Sequence, residues 1–445
     1  MGTRSEKMLK FFKEHKSYMD ERVNKGIELN RKGVATFEFV DVNGNKVSDV
    51  SIKLNQKTHD FRFGANIFML DELESAEKNA SYKKNFANLF NLATLPFYWS
   101  DLEPEQGKPR FSKDSPKVYR RPAPDLCLEF CAENGIEPKL HCLNYDQWTP
   151  HWVPNDAPTV KKFLKKRIKE IAEQYSDTIP TMEVVNESLH GEAYDDKRHS
   201  TLFFKESDYV EWGFITARKY LPTTKLIINE APPYIWQEGY KYNRSAYYSQ
   251  IQRALANGIS IDSIGMQYHS FNSAENEEKL ANFLYNPKQI YEVMDTYSDF
   301  GKPLQITEIT IPAYTGEAED EQLQAEILTN LYKIWFSHPN MEAIIYWNLV
   351  DGYAYGATPG DMSYGENYFR GGLLNFDLSP KPSYKALEQL INHEWRTNIE
   401  TVCDGSFETR AFYGEYEVVV TVNGTTQNKV IHIENGAENK FIFNI

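Results

Sequence analysis

The segment Met182-Glu-Val-Val-Asn186, followed directly by Glu187, shows a pattern that recurs along most of the chain. A short apolar run, the length of one strand, gives way to polar side chains where a strand would end. Runs of the same kind recur at Phe61–Asn66, Ala93–Phe97, Pro138–Leu143, Leu226–Asn229, Ser263–Gln267, Leu304–Thr307 and Ala343–Trp347. Amphipathic segments long enough for helices separate the runs.

Eight strand-like runs separated by helix-length segments predict an α/β protein with a closed (β/α)₈ barrel over residues 59–395. Such a barrel brings the carboxyl ends of its strands to one mouth, where active sites lie. Polar or aromatic residues follow the runs, so we expect them to converge there: Asn66, His141, Asn144, Asn186, Glu187, Asn229, Glu230, Gln267, His269, Glu308 and Trp347.

The two ends of the chain carry other patterns. Residues 1–32 have apolar positions at helical spacing, which predicts an amphipathic helix ended by Gly33. Residues 33–58 alternate with period two around Asn43-Gly44, which predicts a β-hairpin. Residues 396–445 alternate again around Asn423-Gly424. Because neither β segment has enough strands for its own core, we expect them to form one small accessory β-sandwich.

Charge and composition exclude some classes of partner. The 445-residue chain carries a net charge of −14, which argues against nucleic acid or an anionic membrane, since both need a positive field. No apolar run approaches the ~18 residues of a membrane span. Aromatic residues make up 14% of the chain, and they could stack on sugars or simply fill the core.

Glu187 and Glu308 follow the fourth and seventh runs, on strand ends that can face each other across a barrel mouth. Cleavage of a glycosidic bond needs two carboxyls, one to protonate the leaving oxygen and one to attack the anomeric carbon or activate water. Either glutamate could instead be a salt-bridge partner. Glu230 also follows an Asn, and spacing alone does not exclude it. His141, His269, Trp99, Trp148 and Trp347 could likewise be structural.

Several segments, in order along the chain, resemble the motifs of glycoside hydrolase family 10, whose best-known members are endo-β-1,4-xylanases. The segments are Trp99–Gly107 (W-x-x-L-E-P-x-x-G), His141–Leu143 with Thr149–Trp152 (H-T-L and T-P-x-W), Val184–Glu187 (V-V-N-E), Gly265–His269 (G-x-Q-x-H), Ile306–Ile309 (I-T-E), Trp347–Tyr353 (W-G-x-x-D-x-Y), and Leu374–Asp377 with Pro380–Tyr384 (L-F-D and P-K-P-A-Y). The resemblance covers roughly residues 60–395.

The resemblance implies roles for these residues. Glu187 would be the general acid/base and Glu308 the nucleophile of a retaining double displacement. Asn186 would bind the sugar 2-hydroxyl, and His269 would hydrogen-bond Glu308. Glu230 would then be a supporting residue. The remaining implied contacts to the substrate come from His141, Gln267, Asn229, Trp347 and Tyr355.

The sequence departs from the family pattern at four places. The second strand lacks the E-N-x-x-K-W motif that grips the −2 and −1 sugars and reads Thr94-Leu-Pro-Phe-Tyr98-Trp99 instead. Tyr145-Asp146 replaces the usual Trp-His, and Trp148 is an additional aromatic residue. Thr310 stands where the nucleophile motif has Asp. We therefore add Tyr98, Tyr145 and Trp148 to the expected substrate contacts.

These residues lead to one hypothesis with alternatives. We expect a retaining, endo-β-1,4-xylanase-like glycoside hydrolase acting on a poly- or oligosaccharide, with no cofactor and no metal. The alternatives are a β-glycanase for a non-xylan glycan, a non-catalytic carbohydrate-binding barrel, and a protein whose β module docks to a glycan or partner. The resemblance implies an extracellular or periplasmic location, although the first ten residues do not resemble a signal peptide.

Overall fold

The computed structural model describes residues 3–237 and 242–445. Its strands are β1 Lys32–Val40, β2 Val50–Gln56, β3 Arg62–Asn66, β4 Leu92–Pro96, β5 Glu137–His141, β6 Thr181–Asn186, β7 Lys225–Glu230, β8 Ser263–His269, β9 Leu304–Thr310, β10 Met341–Tyr346, β11 Asn398–Cys403, β12 Ser406–Phe412, β13 Gly414–Val422, β14 Thr425–Ile433 and β15 Asn439–Asn444.

The α-helices are α1 Arg4–Met8, α2 Lys10–Glu14, α3 Lys16–Asn30, α4 Ala76–Leu89, α5 Trp99–Leu102, α6 Pro124–Asn134, α7 Ala157–Tyr175, α8 Tyr209–Tyr220, α9 Ala246–Ala256, α10 Ala274–Leu284, α11 Pro287–Ser298, α12 Ala318–Ser337 and α13 Pro382–Glu388. Short 3₁₀ helices lie at Leu202–Lys205, Pro232–Tyr234, Tyr242–Arg244 and Gly365–Phe369, and a π-helix at Gln389–Glu394. None of the helices in the described ranges is long and apolar enough to cross a membrane.

The predicted barrel is confirmed. Strands β3 to β10 are parallel and close in the order β10-β3-β4-β5-β6-β7-β8-β9, with helices between successive strands. Three strands extend past the carboxyl ends of their predicted runs: β7 includes Glu230, β8 continues to His269 and β9 continues to Thr310. The pairing of β8 with β9 shifts register after Met266 and places Gln267 opposite Glu308. Glu308 therefore lies within a strand, where its backbone is fixed by the barrel ladder.

The prediction of one amphipathic helix ended by Gly33 is wrong in detail. The segment forms three helices, α1 to α3, that join at Leu9 and His15. The last helix ends at Asn30, and Gly33 already belongs to β1. Arg31, the residue after α3, attaches the helix to the barrel, because its guanidinium donates to the carbonyl oxygens of Phe336 and His338 at the carboxyl end of α12 and of Met341 at the start of β10.

The predicted hairpin between residues 33 and 58 is also wrong, because β1 and β2 do not pair with each other. Strand β1 lies in a three-stranded sheet of order β12-β1-β15, and β2 lies in a four-stranded sheet of order β11-β2-β13-β14. Alternation shows which face of a strand is buried, but it does not choose the partner strand. Both N-terminal strands are central strands that receive their neighbours from the C-terminal segment.

The accessory β-sandwich predicted from both ends of the chain is confirmed by these two sheets. The inward side chains of β1 (Ala35, Phe37, Phe39) and of β2 (Val50, Ile52, Leu54) share one buried cluster with Tyr416, Val418 and Val420 of β13. The Asn423-Gly424 turn joins β13 to β14 with positive φ angles of 49° and 79°, as a two-residue hairpin requires.

Replacing Phe37 by Ala is expected to lower the free energy of unfolding by ~3–5 kcal/mol, because the side chain is fully buried between the two sheets. Val34→Ala, at a 45% exposed position of the same strand, is the matched control and should change it by less than ~0.5 kcal/mol. Urea unfolding curves measure both, and equal small effects would show that the sandwich core contributes little to stability.

Candidate active site

One cavity of about 470 Å³ opens at the carboxyl end of the barrel. Among the residues predicted from the sequence, its lining contains Tyr98, His141, Tyr145, Trp148, Asn186, Glu187, Gln267, His269, Glu308, Trp347 and Tyr355. Asn229 lies directly beneath this set and is fully buried. Most of the strand-end residues therefore converge on a single site, as the barrel geometry requires, whereas Asn66 and Asn144 are buried and are not among its described lining residues.

The carboxylate of Glu308 is 3% exposed and has a donor on each oxygen. The Asn229 amide donates to Oε1 at 2.8 Å, and His269 Nε2 lies 3.0 Å from Oε2. His141 Nδ1 is 4.0 Å from Oε1. Burial raises the pKa of Glu308 to about 8, the negative charges of Glu183 and Glu187 add to the rise, and the positive charge of His141 opposes it. The hydrogen bonds favour the ionised form, which is the form a nucleophile needs.

Glu187 is half-buried at the edge of the same cavity, immediately after β6. The hydroxyl of Tyr145 donates to its Oε2 at 2.5 Å, and the Gln267 amide donates to its Oε1 at 3.0 Å. Its φ of +50° is unusual for a residue other than glycine. Its backbone N–H donates to the carbonyl of Asn229 at 3.1 Å, which fixes the turn that aims the carboxylate into the cavity.

A chain of amides connects the two carboxylates. Asn229 Nδ2 donates both to Glu308 and, at 2.8 Å, to Asn186 Oδ1. Gln267 Nε2 contacts Glu187 and, at 3.3 Å, the same Asn186 oxygen. With its oxygen occupied twice, Asn186 has its Nδ2 group left to donate to a ligand.

Gly265 makes room for this chain of amides. A Cβ atom at this position would lie 2.6 Å from Asn229 Oδ1 and 2.9 Å from the carbonyl oxygen of Ile228. Any side chain would therefore displace Asn229 and disturb the groups that hold Glu308.

Glu230, the competing carboxylate, has a different role. It is fully buried, and it is not among the described residues that line the cavity. Its Oε2 accepts from the backbone N–H of Leu189 at 2.9 Å, and its Oε1 accepts from the N–H of Ala231 at 2.8 Å. Burial raises the pKa of Glu230 to about 8. These contacts anchor the turn that follows Glu187.

A buried line of four ionisable side chains runs from the cavity lining into the barrel. Lys139 forms an ion pair with Glu183, whose other oxygen lies 2.5 Å from His141 Nδ1, and His141 in turn neighbours Glu308. Burial alone would raise the pKa of Glu183, but Lys139 and His141 outweigh it and hold it at about 2. For His141, burial acts to lower the pKa, whereas Glu183 and Glu308 produce a net increase. Positive and negative groups thus alternate.

The donor atoms of His141, Glu183 and Glu308 lie within 4.8 Å of one another, a spacing that could hold a metal ion. The ammonium of Lys139 already neutralises Glu183 at this place. A metal ion would be repelled by this cation and by a protonated His141. We therefore assign the cluster to an ion-pair network.

His269 connects Glu308 to Thr310. Its Nε2 faces Glu308 Oε2, and its Nδ1 lies 2.9 Å from the Thr310 hydroxyl. Burial lowers the pKa of His269 to about 4, so the ring is neutral at neutral pH. An Nε2–H that donates to Glu308 leaves Nδ1 to accept from the Thr310 hydroxyl, and this hydroxyl therefore selects the tautomer.

Sequence reasoning missed two groups of residues. Lys139 and Glu183 carry charge within otherwise apolar strand segments, and such a residue needs a buried partner, which was an available signal. Arg120 and Arg121 come from the long connection after β4, where no periodicity indicates position. Further lining residues that spacing did not reveal are Phe68, Gln147, His190, Arg198, Pro232, Pro233, Gln237, Phe271, Asn272 and Glu366.

The family model described as glycosyl hydrolase family 10 matches residues 54–390, which is most of the chain. The chain belongs to glycosyl hydrolase family 10. The matched region contains the whole barrel and both carboxylates of the cavity, whereas most of the accessory sandwich lies outside it.

This family 10 chain is similar to curated proteins of different names. It is 23% identical over 94% of its length to "Anti-sigma-I factor RsgI6" of Acetivibrio thermocellus, 49% of which is covered. It is 27% identical over 58% of its length to "Endo-1,4-beta-xylanase B" of Neocallimastix patriciarum, 28% of which is covered. The chain thus spans about half or less of these relatives.

Among solved structures, xylanase 10B of Thermotoga petrophila RKU-1, determined in complex with xylobiose, matches with a TM-score of 0.59 and 21% identity. The match covers 75% of this chain and 95% of that one. Native xylanase 10B of Thermotoga maritima matches with a TM-score of 0.57 and 20% identity over 75% of this chain and 96% of that one. At this identity the likeness shows the shared barrel fold.

Lys139→Met is expected to lower the free energy of unfolding by ~3–5 kcal/mol, because it leaves the Glu183 carboxylate buried without its partner. Lys166→Met is the matched control: Lys166 pairs with Glu170 at 3.1 Å on the exposed face of α7, and its loss should cost ~0.5 kcal/mol or less. Urea unfolding measures both. A similar small cost for the two variants would contradict the importance of the buried network.

Thr310→Asp is expected to raise the pKa of His269 from about 4, because a carboxylate at Nδ1 stabilises the protonated ring. The added positive charge should in turn lower the pKa of Glu308. Titration of the imidazole by NMR measures the first shift. Thr310→Val is the control: it removes the hydroxyl without adding charge and should leave the ring neutral. An unchanged pKa of His269 in the Asp variant would exclude the hydrogen bond between residue 310 and His269 Nδ1.

Proposed function

We propose that this protein is a retaining glycoside hydrolase of the xylanase type that cleaves β-linked glycans by double displacement. The observation that supports it best is the presence of Glu187 and Glu308 in one cavity, each with both carboxylate oxygens held by hydrogen bonds. Each of the two glutamates also lies within a segment that resembles a family motif. The names of several family relatives indicate β-1,4-xylan as the first substrate to test.

In the first step, Glu308 attacks the anomeric carbon as that carbon's bond to the glycosidic oxygen breaks. Glu187 gives its proton to the departing oxygen, so the leaving sugar departs as an alcohol and the glycone is held as an ester of Glu308. Asn229 and His269 keep the Glu308 carboxylate oriented before attack. Asn186 is linked to Glu308 through Asn229, and its Nδ2 group would donate to the sugar 2-hydroxyl.

In the second step, water attacks the same anomeric carbon. The ionised Glu187 removes a proton from the water, the ester bond to Glu308 breaks, and the sugar leaves with its original anomeric configuration. Tyr145 and Gln267 hold the Glu187 carboxyl group in position through both steps. The turn anchored by Glu230 keeps the carboxylate at the cavity edge.

A second candidate is a glycan-binding protein without turnover. One observation favours it. A relative that matches 94% of this chain is named an anti-sigma factor, and this name describes no hydrolase activity. A glycan that binds without release of any reducing ends, across a broad panel, would support this candidate over hydrolysis.

Glu308→Ala is expected to reduce hydrolysis of an aryl β-xylobioside to background, because the nucleophile is lost. Added azide should restore turnover and give the α-glycosyl azide, because the small anion takes the place of the missing carboxylate. Product analysis by NMR and mass spectrometry provides the measurement. Full activity in the variant, or a β-configured azide, would remove Glu308 from this role.

Glu187→Gln is expected to slow cleavage of unactivated oligosaccharides by ~10²–10⁴-fold, because proton transfer to the leaving oxygen is lost. An aryl glycoside with a good leaving group should be affected far less in its first step. Glu230→Ala serves as the control for both carboxylates. It should show neither azide rescue nor dependence on the leaving group, since Glu230 lies outside the cavity lining.

A further inference from the structure

A second cavity, of about 670 Å³, lies beside the active-site cavity. It is formed between the connections after β4, β5, β6 and β10, and its lining includes Asp101, Tyr119, Trp152, Lys197 and Tyr355. Within the described residues, Tyr355 is the one side chain that lines both cavities. The two spaces are therefore neighbours divided by a thin partition.

Aromatic rings in contact with one another support this partition on its active-site side. Trp148, from the connection after β5, meets Tyr355, from the connection after β10, edge to face at a centroid distance of 4.9 Å. Tyr98, which precedes α5, meets Trp148 at a centroid distance of 4.8 Å. Aromatic pairs at such distances are in contact, which leaves no room for a sugar ring between them. We call Tyr98, Trp148, Tyr355 and Arg121 the glycone wall.

Arg121 fills the remaining space in the glycone wall. Its guanidinium carbon lies 4.0 Å from the centroid of Tyr98, 5.2 Å from that of Trp148 and 5.3 Å from that of Tyr355. Its Nε donates at 2.8 Å to Asp101, which lines the second cavity. Lys197 lies 4.9 Å from the Tyr355 ring on that far side. Cation–π contacts and the ion pair together hold the wall in place.

The glycone wall stands where the non-reducing part of a glycan would have to pass. The connections after β4 and β5 are the second and third of the barrel, and the family resemblance places the −2 and −1 sugars at the second. Here the wall residues occupy that region. A glycan bound across Glu187 and Glu308 would thus meet a closed end on its glycone side.

We propose that this protein cleaves its glycan at a short, fixed distance from the non-reducing end, with the glycone wall setting that distance. This inference rests on the proposed glycosidase function and specifies its mode of action. An unobstructed cleft would accept a chain at any internal position. The closed end instead admits only a terminal segment, and Tyr355 is the side chain whose removal would join the two cavities.

The test uses β-1,4-xylo-oligosaccharides of increasing length, labelled at the reducing end, and follows the first products by mass spectrometry. Wild-type protein should release one unlabelled fragment of the same size from every chain length. Tyr355→Ala should release several fragment sizes, because chains can then extend into the second cavity. Tyr355→Phe, which keeps the ring and removes only the hydroxyl, should retain the single fragment size. Circular dichroism melting curves establish that each variant is folded.

Two results would overturn the inference while leaving the proposed hydrolase intact. The first is release of fragments of varied size by the wild-type protein from the start of the reaction. The second is an unchanged single product from folded Tyr355→Ala. Failure of the folded wild-type protein to cleave any of the labelled chains would count against the proposed xylan hydrolase, and against the chain-end mode with it.

Discussion

The alternating buried charges of Lys139, Glu183, His141 and Glu308 are the constraint on which the site depends. Each of these groups would be costly to bury alone, and each is tolerated because its neighbour carries the opposite charge. Three barrel strands, β5, β6 and β9, supply the four residues, so the charge pattern exists only when the barrel is closed. Folding of the barrel and the ionisation of Glu308 are thereby coupled.

Hydrogen-bonded amides connect this network to the second carboxylate, Glu187, and hold its side chain in position. Asn229, Asn186 and Gln267 connect Glu308 to Glu187, and the close approach of Asn229 to β8 depends on the missing side chain of Gly265. Glu187 sits on a backbone with positive φ, a conformation that costs ~1–3 kcal/mol when the surroundings do not support it. Here Glu230 and the Asn229 carbonyl hold that turn.

The barrel and the convergence of the strand-end residues could be predicted from the sequence. The alternation of apolar runs with helix-length segments, and the polar residues at the ends of the runs, are local properties of the sequence. It did not give strand partners, and the predicted hairpin of β1 and β2 failed for that reason. The pairing of Lys139 with Glu183 depends on neighbouring strands, and the position of Arg121 depends on an irregular connection. The roles of Glu187 and Glu308 came from motif resemblance, since spacing alone did not exclude Glu230.

The measurement that tests the central claim most directly is the anomeric configuration of the first product, followed by ¹H NMR during cleavage of a β-linked oligosaccharide. Double displacement through Glu308 predicts that the newly formed reducing sugar appears first as the β-anomer and only later mutarotates. Initial appearance of the α-anomer would show a single displacement by water, which would contradict a covalent role for Glu308 and the two-carboxylate account of this site.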